Sequence, residues 1–337
     1  MTRRLGLCLL AVLLLVNPLL AKRRAVTPGA ERCVVGRIAV LAYTTLLTAD
    51  AQHVYWLDDF GYLLRVPRLG GQVEELALFE EYLPLAMVVD ATHVYVSALP
   101  LEAVFRPTPG VILSVPKGGG VPAVLISGVA TPFDLEVDAT HLYWAAAGTL
   151  NFDEGTLAPD GKIERALKNG TSRQTLADDV SAPLDVALEG DLVWFGQTGL
   201  TEGNETIGLY TVPKIGGTLR TINDDVIPAE IALSPTNVLA YGASADSDNA
   251  LFAVARNGSS VRQLVADDSI LGGLHAVDGR LYYVTEEDEA HSVRWIAESG
   301  GTPVLVRDDL YYTEDYVIDG CAVVMGTAEG ELVRTAR

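Results

Sequence analysis

Val137-Asp138-Ala139-Thr140-His141-Leu142-Tyr143-Trp144 is the stretch from which the fold can be read. A short polar turn leads into four apolar and aromatic residues. The same arrangement stands at Val89-Asp90-Ala91-Thr92-His93-Val94-Tyr95-Val96 and at Asp50-Ala51-Gln52-His53-Val54-Tyr55-Trp56. More divergent copies of the apolar segment are Asp191-Leu192-Val193-Trp194, Asn237-Val238-Leu239-Ala240, Arg280-Leu281-Tyr282-Tyr283 and Cys321-Ala322-Val323-Val324. That makes seven copies spaced 40 to 50 residues apart. A fixed period of this length is the mark of a repeat architecture.

A second recurring element lies downstream of six of the seven copies. Arg68-Leu69-Gly70-Gly71, Lys117-Gly118-Gly119, Lys168-Asn169-Gly170, Lys214-Ile215-Gly216-Gly217, Arg256-Asn257-Gly258 and Glu298-Ser299-Gly300-Gly301 end one apolar strand and begin another. Asn-Gly and Gly-Gly suit hairpin turns because such turns need positive φ. Each unit therefore reads as four short strands, and no helical period is sustained beyond the N-terminal segment. Four strands per unit at this period predict an all-β chain, a seven-bladed β-propeller of four-stranded blades.

The seventh unit supplies three strands, the last being Glu331–Arg337. A spare strand, Cys33–Leu41, precedes the first complete unit. It is expected to complete the last blade and close the ring, which removes two unpaired strand edges. Cys33 and Cys321 would then share a blade, with the third strand between their strands. Strand spacing alone sets them about 9–10 Å apart, and a disulfide needs Cα atoms within about 7 Å. A bridge would require local bending, so a disulfide and two reduced cysteines both remain open.

Arg3-Arg4, the apolar Leu5–Val16 and the small Ala21 have the layout of a signal peptide over residues 1–21. A retained membrane anchor is the alternative, although the apolar run is short for a span of about 20 residues. Residues 22–32 read as a linker, and residues 33–337 as one propeller. Removing Arg3 and Arg4 takes the formal charge from −20 to −22. Such a chain repels phosphate backbones, so nucleic acid is excluded as a partner. The expected setting is secreted or periplasmic, with no transmembrane span after processing.

Tyr55-Trp56-Leu57-Asp58 and His141-Leu142-Tyr143-Trp144 resemble the YWTD-type propeller repeats of lipoprotein-receptor ectodomains. They are more similar still to bacterial exported propellers with a related repeat. The resemblance covers most of residues 33–337. It implies a propeller fold and a binding role, and it implies no catalytic residues. Receptor propellers of this type have six blades, whereas seven units are counted here.

In a propeller, the links between the second and third strands share one face with the links between blades. That face carries the long loops Ser97–Gly110, Ala145–Gly161, Phe195–Gly208 and Tyr241–Ala250. The other face holds tight turns only. Function concentrates on long loops of a rigid scaffold, so the long-loop face is the expected ligand face. Its acidic side chains include Asp153, Glu154, Asp179, Glu205, Asp225, Asp246, Asp268, Glu287 and Asp309. They suit a cation or a basic partner, or serve as a solvated rim.

Along the first strands, Pro132-Phe133-Asp134, Pro183-Leu184-Asp185 and Pro228-Ala229-Glu230 place a carboxylate at one equivalent position, and Asp315 aligns with them. Leu46, Ala86 and Leu274 take that position elsewhere. Converging carboxylates need a cation or protons to offset their repulsion, and oxygen ligands of this kind suit Ca²⁺ or Mg²⁺. The alternative is that each bonds to neighbouring backbone amides. No other cofactor is suggested. His-Glu-x-x-His, Gly-x-Ser-x-Gly and phosphate-loop motifs are missing from the sequence. The expected function is an exported, non-catalytic propeller that binds a protein, glycan or small molecule. The alternative is a divalent-metal-dependent hydrolase or lyase centred on Asp134, Asp185, Glu230 and Asp315; a purely structural envelope protein is a third.

Overall fold

Seven four-stranded antiparallel sheets follow one another around an axis in the computed structural model, which describes residues 35–40, 44–151, 155–201, 205–287, 290–310 and 315–337. Blade 1 runs Thr44–Ala49, His53–Asp58, Tyr62–Pro67 and Glu74–Leu78, in that spatial order. Blades 2 to 6 repeat the pattern. Blade 7 takes Tyr316–Asp319, Ala322–Gly326 and Glu331–Ala336 from the C-terminal part of the chain and Gly36–Val40 from the N-terminal part. Gly36 pairs with Arg334 and Val40 with Glu331, so ring closure occurs as the repeat pattern predicts. Residues 1–34, with the expected signal peptide, the linker and Cys33, lie outside the described residues. Cys321 is disulfide-bonded.

First strands of successive blades touch one another around the axis, and fourth strands lie outside. The tryptophans mark what holds adjacent blades together. Trp56 and Trp144 are fully buried and Trp194 nearly so. Trp56 packs with Leu47 of its own blade and with Val317, Val324 and Leu332 of blade 7. Trp144 packs against Ala86, Tyr95 and Ile112 of blade 2, and Trp194 against Val226, Ile231 and Phe252 of blade 5. Burying one such side chain contributes about 1.5–3 kcal/mol, and the repeat places one at three of the seven interfaces.

The Gly turns do more than reverse the chain. In blade 5, Gly258 adopts φ +75°, and a Cβ there would come within 1.7 Å of the Ile222 carbonyl oxygen in blade 4. Glycine is therefore required twice over, for positive φ and for close approach of one blade to the last.

Candidate functional site

Two of the axial carboxylates, Asp134 and Glu230, each follow a bulge. In blade 3 the ladder slips between Pro132 and Asp134, leaving Phe133 as the extra residue; blade 5 slips likewise between Pro228 and Glu230. Proline has no N–H to give to a ladder, so it belongs at such a break, and a bulge re-aims the side chain that follows it. Asp134, Asp185, Glu230 and Asp315 are all buried. Each accepts hydrogen bonds from the backbone of the next blade. Asp134 Oδ2 accepts from Val186 N at 3.0 Å and Asp185 Oδ2 from Ile231 N at 2.5 Å. Glu230 receives two, from Gly273 N at 2.8 Å and Leu274 N at 2.7 Å. Asp315 accepts from Leu47 N across the closure between blades 7 and 1.

Glu230 is one methylene longer than its counterparts, and blade 6 makes room for it. Gly272 has φ +123°, and a Cβ there would stand 2.7 Å from Glu230 Oε2. The joint between blades 6 and 7 is built differently. Tyr316 Oη donates to Gly273 O at 2.6 Å, and His275 Nε2 lies 3.1 Å from Tyr316 O. His275, which has no recognisable partner in the sequence, is thus part of an inter-blade joint. Among the described residues, no three His, Cys, Asp or Glu side chains stand together in a group that could hold a metal ion. The structure brings the four carboxylates to four separate interfaces and not to a common point.

The opposite face carries a ring of contacts that the sequence reading did not identify. In each blade, a residue just past the third strand reaches back to the first-to-second-strand turn of the preceding blade. Lys117 Nζ meets Asp50 at 2.5 Å, Lys168 meets Asp90 at 2.8 Å and Lys214 meets Asp138 at 3.4 Å. Arg256 holds Glu189 by two bonds of 2.8 Å. Arg337 pairs with Asp278, and Arg68 with Asp319. The exception explains the pattern. Glu298 stands where a base is expected, and the preceding turn offers Ser234 in place of an acid; Ser234 Oγ donates to Glu298 Oε2 at 2.7 Å. That paired exchange, acid-to-Ser with base-to-Glu, was the available sequence signal.

Within the turns of blades 1, 2 and 3 the acid is further fixed. Asp138 accepts from the backbone N–H of Thr140 at 2.8 Å and His141 at 2.9 Å, and from Tyr143 Oη at 2.9 Å. Burial would raise the carboxyls of Asp50, Asp90 and Asp138, but the turn N–H groups and the lysines outweigh it and hold all three below the ordinary value. Groups with depressed folded values contribute stability above the unfolded pKa of about 4, and that contribution is lost as pH falls through the folded values. Burial and the Asp138 carboxylate push the Tyr143 phenol up to about 12, so it remains a donor at neutral pH.

The long-loop face is built differently. Asp179, Glu205, Asp225, Asp246, Asp268, Glu287 and Asp309 are exposed there, while Asp153 and Glu154 lie outside the described residues. Glu287 is paired with Arg294 at 2.8 Å and Asp309 with Arg307. A two-stranded hairpin, Leu150–Asn151 with Thr156–Leu157, rises from blade 3, and Leu157 bridges to Thr201 of blade 4. Beneath it, Leu150, Leu157, Phe133 and Leu184 form one buried apolar cluster. The described parts of the blade 3 and 4 loops are therefore packed extensions of the core.

Comparison with solved structures agrees with this architecture. The WD40 β-propeller domain of Doa1 matches at 13% identity with a TM-score of 0.60, over 90% of this chain and 97% of that one. A chain of the nidogen–laminin complex matches at 14% identity and TM-score 0.52, over 74% and 90%. Oligogalacturonate lyase in complex with manganese matches at 11% and 0.52, over 76% and 73%. Identities this low show a shared fold and nothing of function. No protein-family model and no curated sequence matches the chain.

Proposed function

We propose that the chain is an exported, non-catalytic propeller with YWTD-like repeats that binds a partner through its long-loop face. The observation that carries this reading is the asymmetry of the two faces. One is closed by tight turns tied together by inter-blade contacts. The other holds the long connections and a rim of exposed carboxylates. Both the Doa1 domain and the nidogen–laminin chain lend support, as propellers of comparable build, one of them solved in a protein complex. Tyr55-Trp56-Leu57-Asp58 supports the YWTD-like kinship.

A second reading rests on the four buried carboxylates and on the manganese-bound lyase among the structural neighbours. It makes the chain a divalent-metal-dependent hydrolase or lyase. The backbone bonds that each carboxylate accepts favour the first reading, because those side chains already serve the joints between blades.

Probing glycan and peptide arrays with the protein, then mapping each bound compound by amide hydrogen exchange, tests the proposal. Protection is expected in one or more of the long-loop-face connections 59–61, 79–81, 98–109, 178–182, 224–226 and 267–269. Protection confined to the turns at 50–53, 90–93 and 138–141, or turnover of an arrayed glycan, would sink it.

A further inference from the structure

Among the described residues, exposed large apolar side chains on the loops of the long-loop face gather on blades 1 and 2. They are Phe60 of blade 1 and Leu101, Val104 and Phe105 of blade 2, with Phe105 84% exposed. The two loops are physically joined. Phe79 N donates to Gly61 O at 2.9 Å and Leu101 N to Glu81 O at 2.9 Å, so the link 79–81 lies between the loops and bonds to both. Both loops are also stiff. Asp58 Oδ1 accepts from Phe60 N and Tyr62 N, each at 2.9 Å. Leu99 and Ala103 are buried against Leu85 beneath the short 3₁₀ turn Leu101–Val104. Among the described residues, the loops of blades 3 and 4 bury their large apolar side chains, whereas blades 1 and 2 present theirs to water from a fixed platform. A cluster of this kind on a soluble surface marks an interaction site, and its rigidity lowers the entropy cost of binding.

The surround is acidic. Asp59, Glu80, Glu81 and Glu102 are exposed beside these side chains. Arg106, the base carried by these loops, is paired with Glu102. Burial and the neighbouring Asp58 hold the Asp59 carboxyl above its ordinary value, so an arriving cation relieves repulsion there. An anionic bilayer would be repelled by the same charges.

Building on the binding role above, we infer that this patch docks a protein segment that sets apolar side chains on Phe60 and Phe105 and Lys or Arg against Asp59, Glu80 and Glu81. Apolar anchors give the affinity, and the acidic rim selects the charge of the partner and speeds the encounter.

The probe is a random short-peptide library displayed on phage, selected on the purified protein, with enriched peptides synthesised and their Kd measured. Enriched sequences are expected to set Lys or Arg beside aromatic or large aliphatic residues. Their binding should weaken about tenfold or more in Phe60→Ser/Phe105→Ser, and similarly in Glu80→Lys/Glu81→Lys. It should also weaken as NaCl rises from about 50 to about 500 mM. All four side chains are exposed, so an unchanged unfolding midpoint verifies that each variant is folded. Failure to enrich such sequences, or indifference to both double variants, overturns the inference. Hydrogen exchange separates the two levels of failure. Protection on the loops of blades 3 to 7 removes this docking site and leaves the binding role standing, whereas protection on the turn face removes both. A dimer that dissociates in Phe105→Ser would assign the patch to a second copy of the chain and equally overturn the inference.

Discussion

Asp319→Ala is expected to lower stability by about 3–5 kcal/mol, the cost of stranding a buried charge. Asp319 sits in blade 7 at the seam where the two ends of the chain meet. Its carboxylate pairs with Arg334 of the same blade and with Arg68 of blade 1. The side chains of Arg334 and Asp319 are only 4% and 3% exposed. Truncating the acid leaves one guanidinium buried opposite no carboxylate and breaks the ion pair that spans the closure. Glu331→Ala provides the contrast. Glu331 pairs with Arg37 between the two strands that close the ring, but Arg37 is 59% exposed, and an exposed pair is worth about 1 kcal/mol or less. Chemical denaturation followed by tryptophan fluorescence reads both. Equal midpoints for the two variants would mean that the seam does not depend on Asp319.

Glu230→Ala is expected to have an effect of comparable size. It removes both oxygens that receive Gly273 N and Leu274 N, and each buried donor left without its acceptor costs about 1–3 kcal/mol. The expected loss is therefore about 2–6 kcal/mol. Glu230→Gln keeps one acceptor oxygen and should fall between the parent and the alanine variant. A loss below about 1 kcal/mol for Glu230→Ala would show that the inter-blade bonds at the axis contribute little beyond packing.

How much of this was legible depended on whether the signal was local. The repeat His-x-Tyr-Trp and the Gly turns recur along the chain, so strand number, blade number and closure by the N-terminal strand could all be read from spacing. The aligned Pro-x-Asp and Pro-x-Glu triplets likewise placed Asp134, Asp185 and Glu230 at one level of the ring. What could not be read was their partner. The acceptor geometry depends on a bulge at Phe133 or Ala229, and on a backbone N–H in the following blade, 43 to 52 residues away. A backbone donor has no side chain and leaves no trace in the sequence. The turn-face ring was missed for a different reason. Lys117 and Asp50 are 67 residues apart, and each has a sufficient local explanation as a turn residue. The docking patch was also overlooked. Attention to acidic residues on the loops of blades 3 to 7 passed over Phe60 and Phe105, whose exposure only the fold reveals.

Thermal unfolding of residues 22–337 with millimolar Ca²⁺ or Mn²⁺, and with chelator, addresses most directly the claim that the axial carboxylates join blades and leave function to the loops. Superimposable curves are predicted under all three conditions. A cation-dependent rise near the 2.7 kcal/mol or so expected of a ligand at about 100 times its Kd, abolished in Asp185→Asn, would contradict the account and place a metal site at the axis.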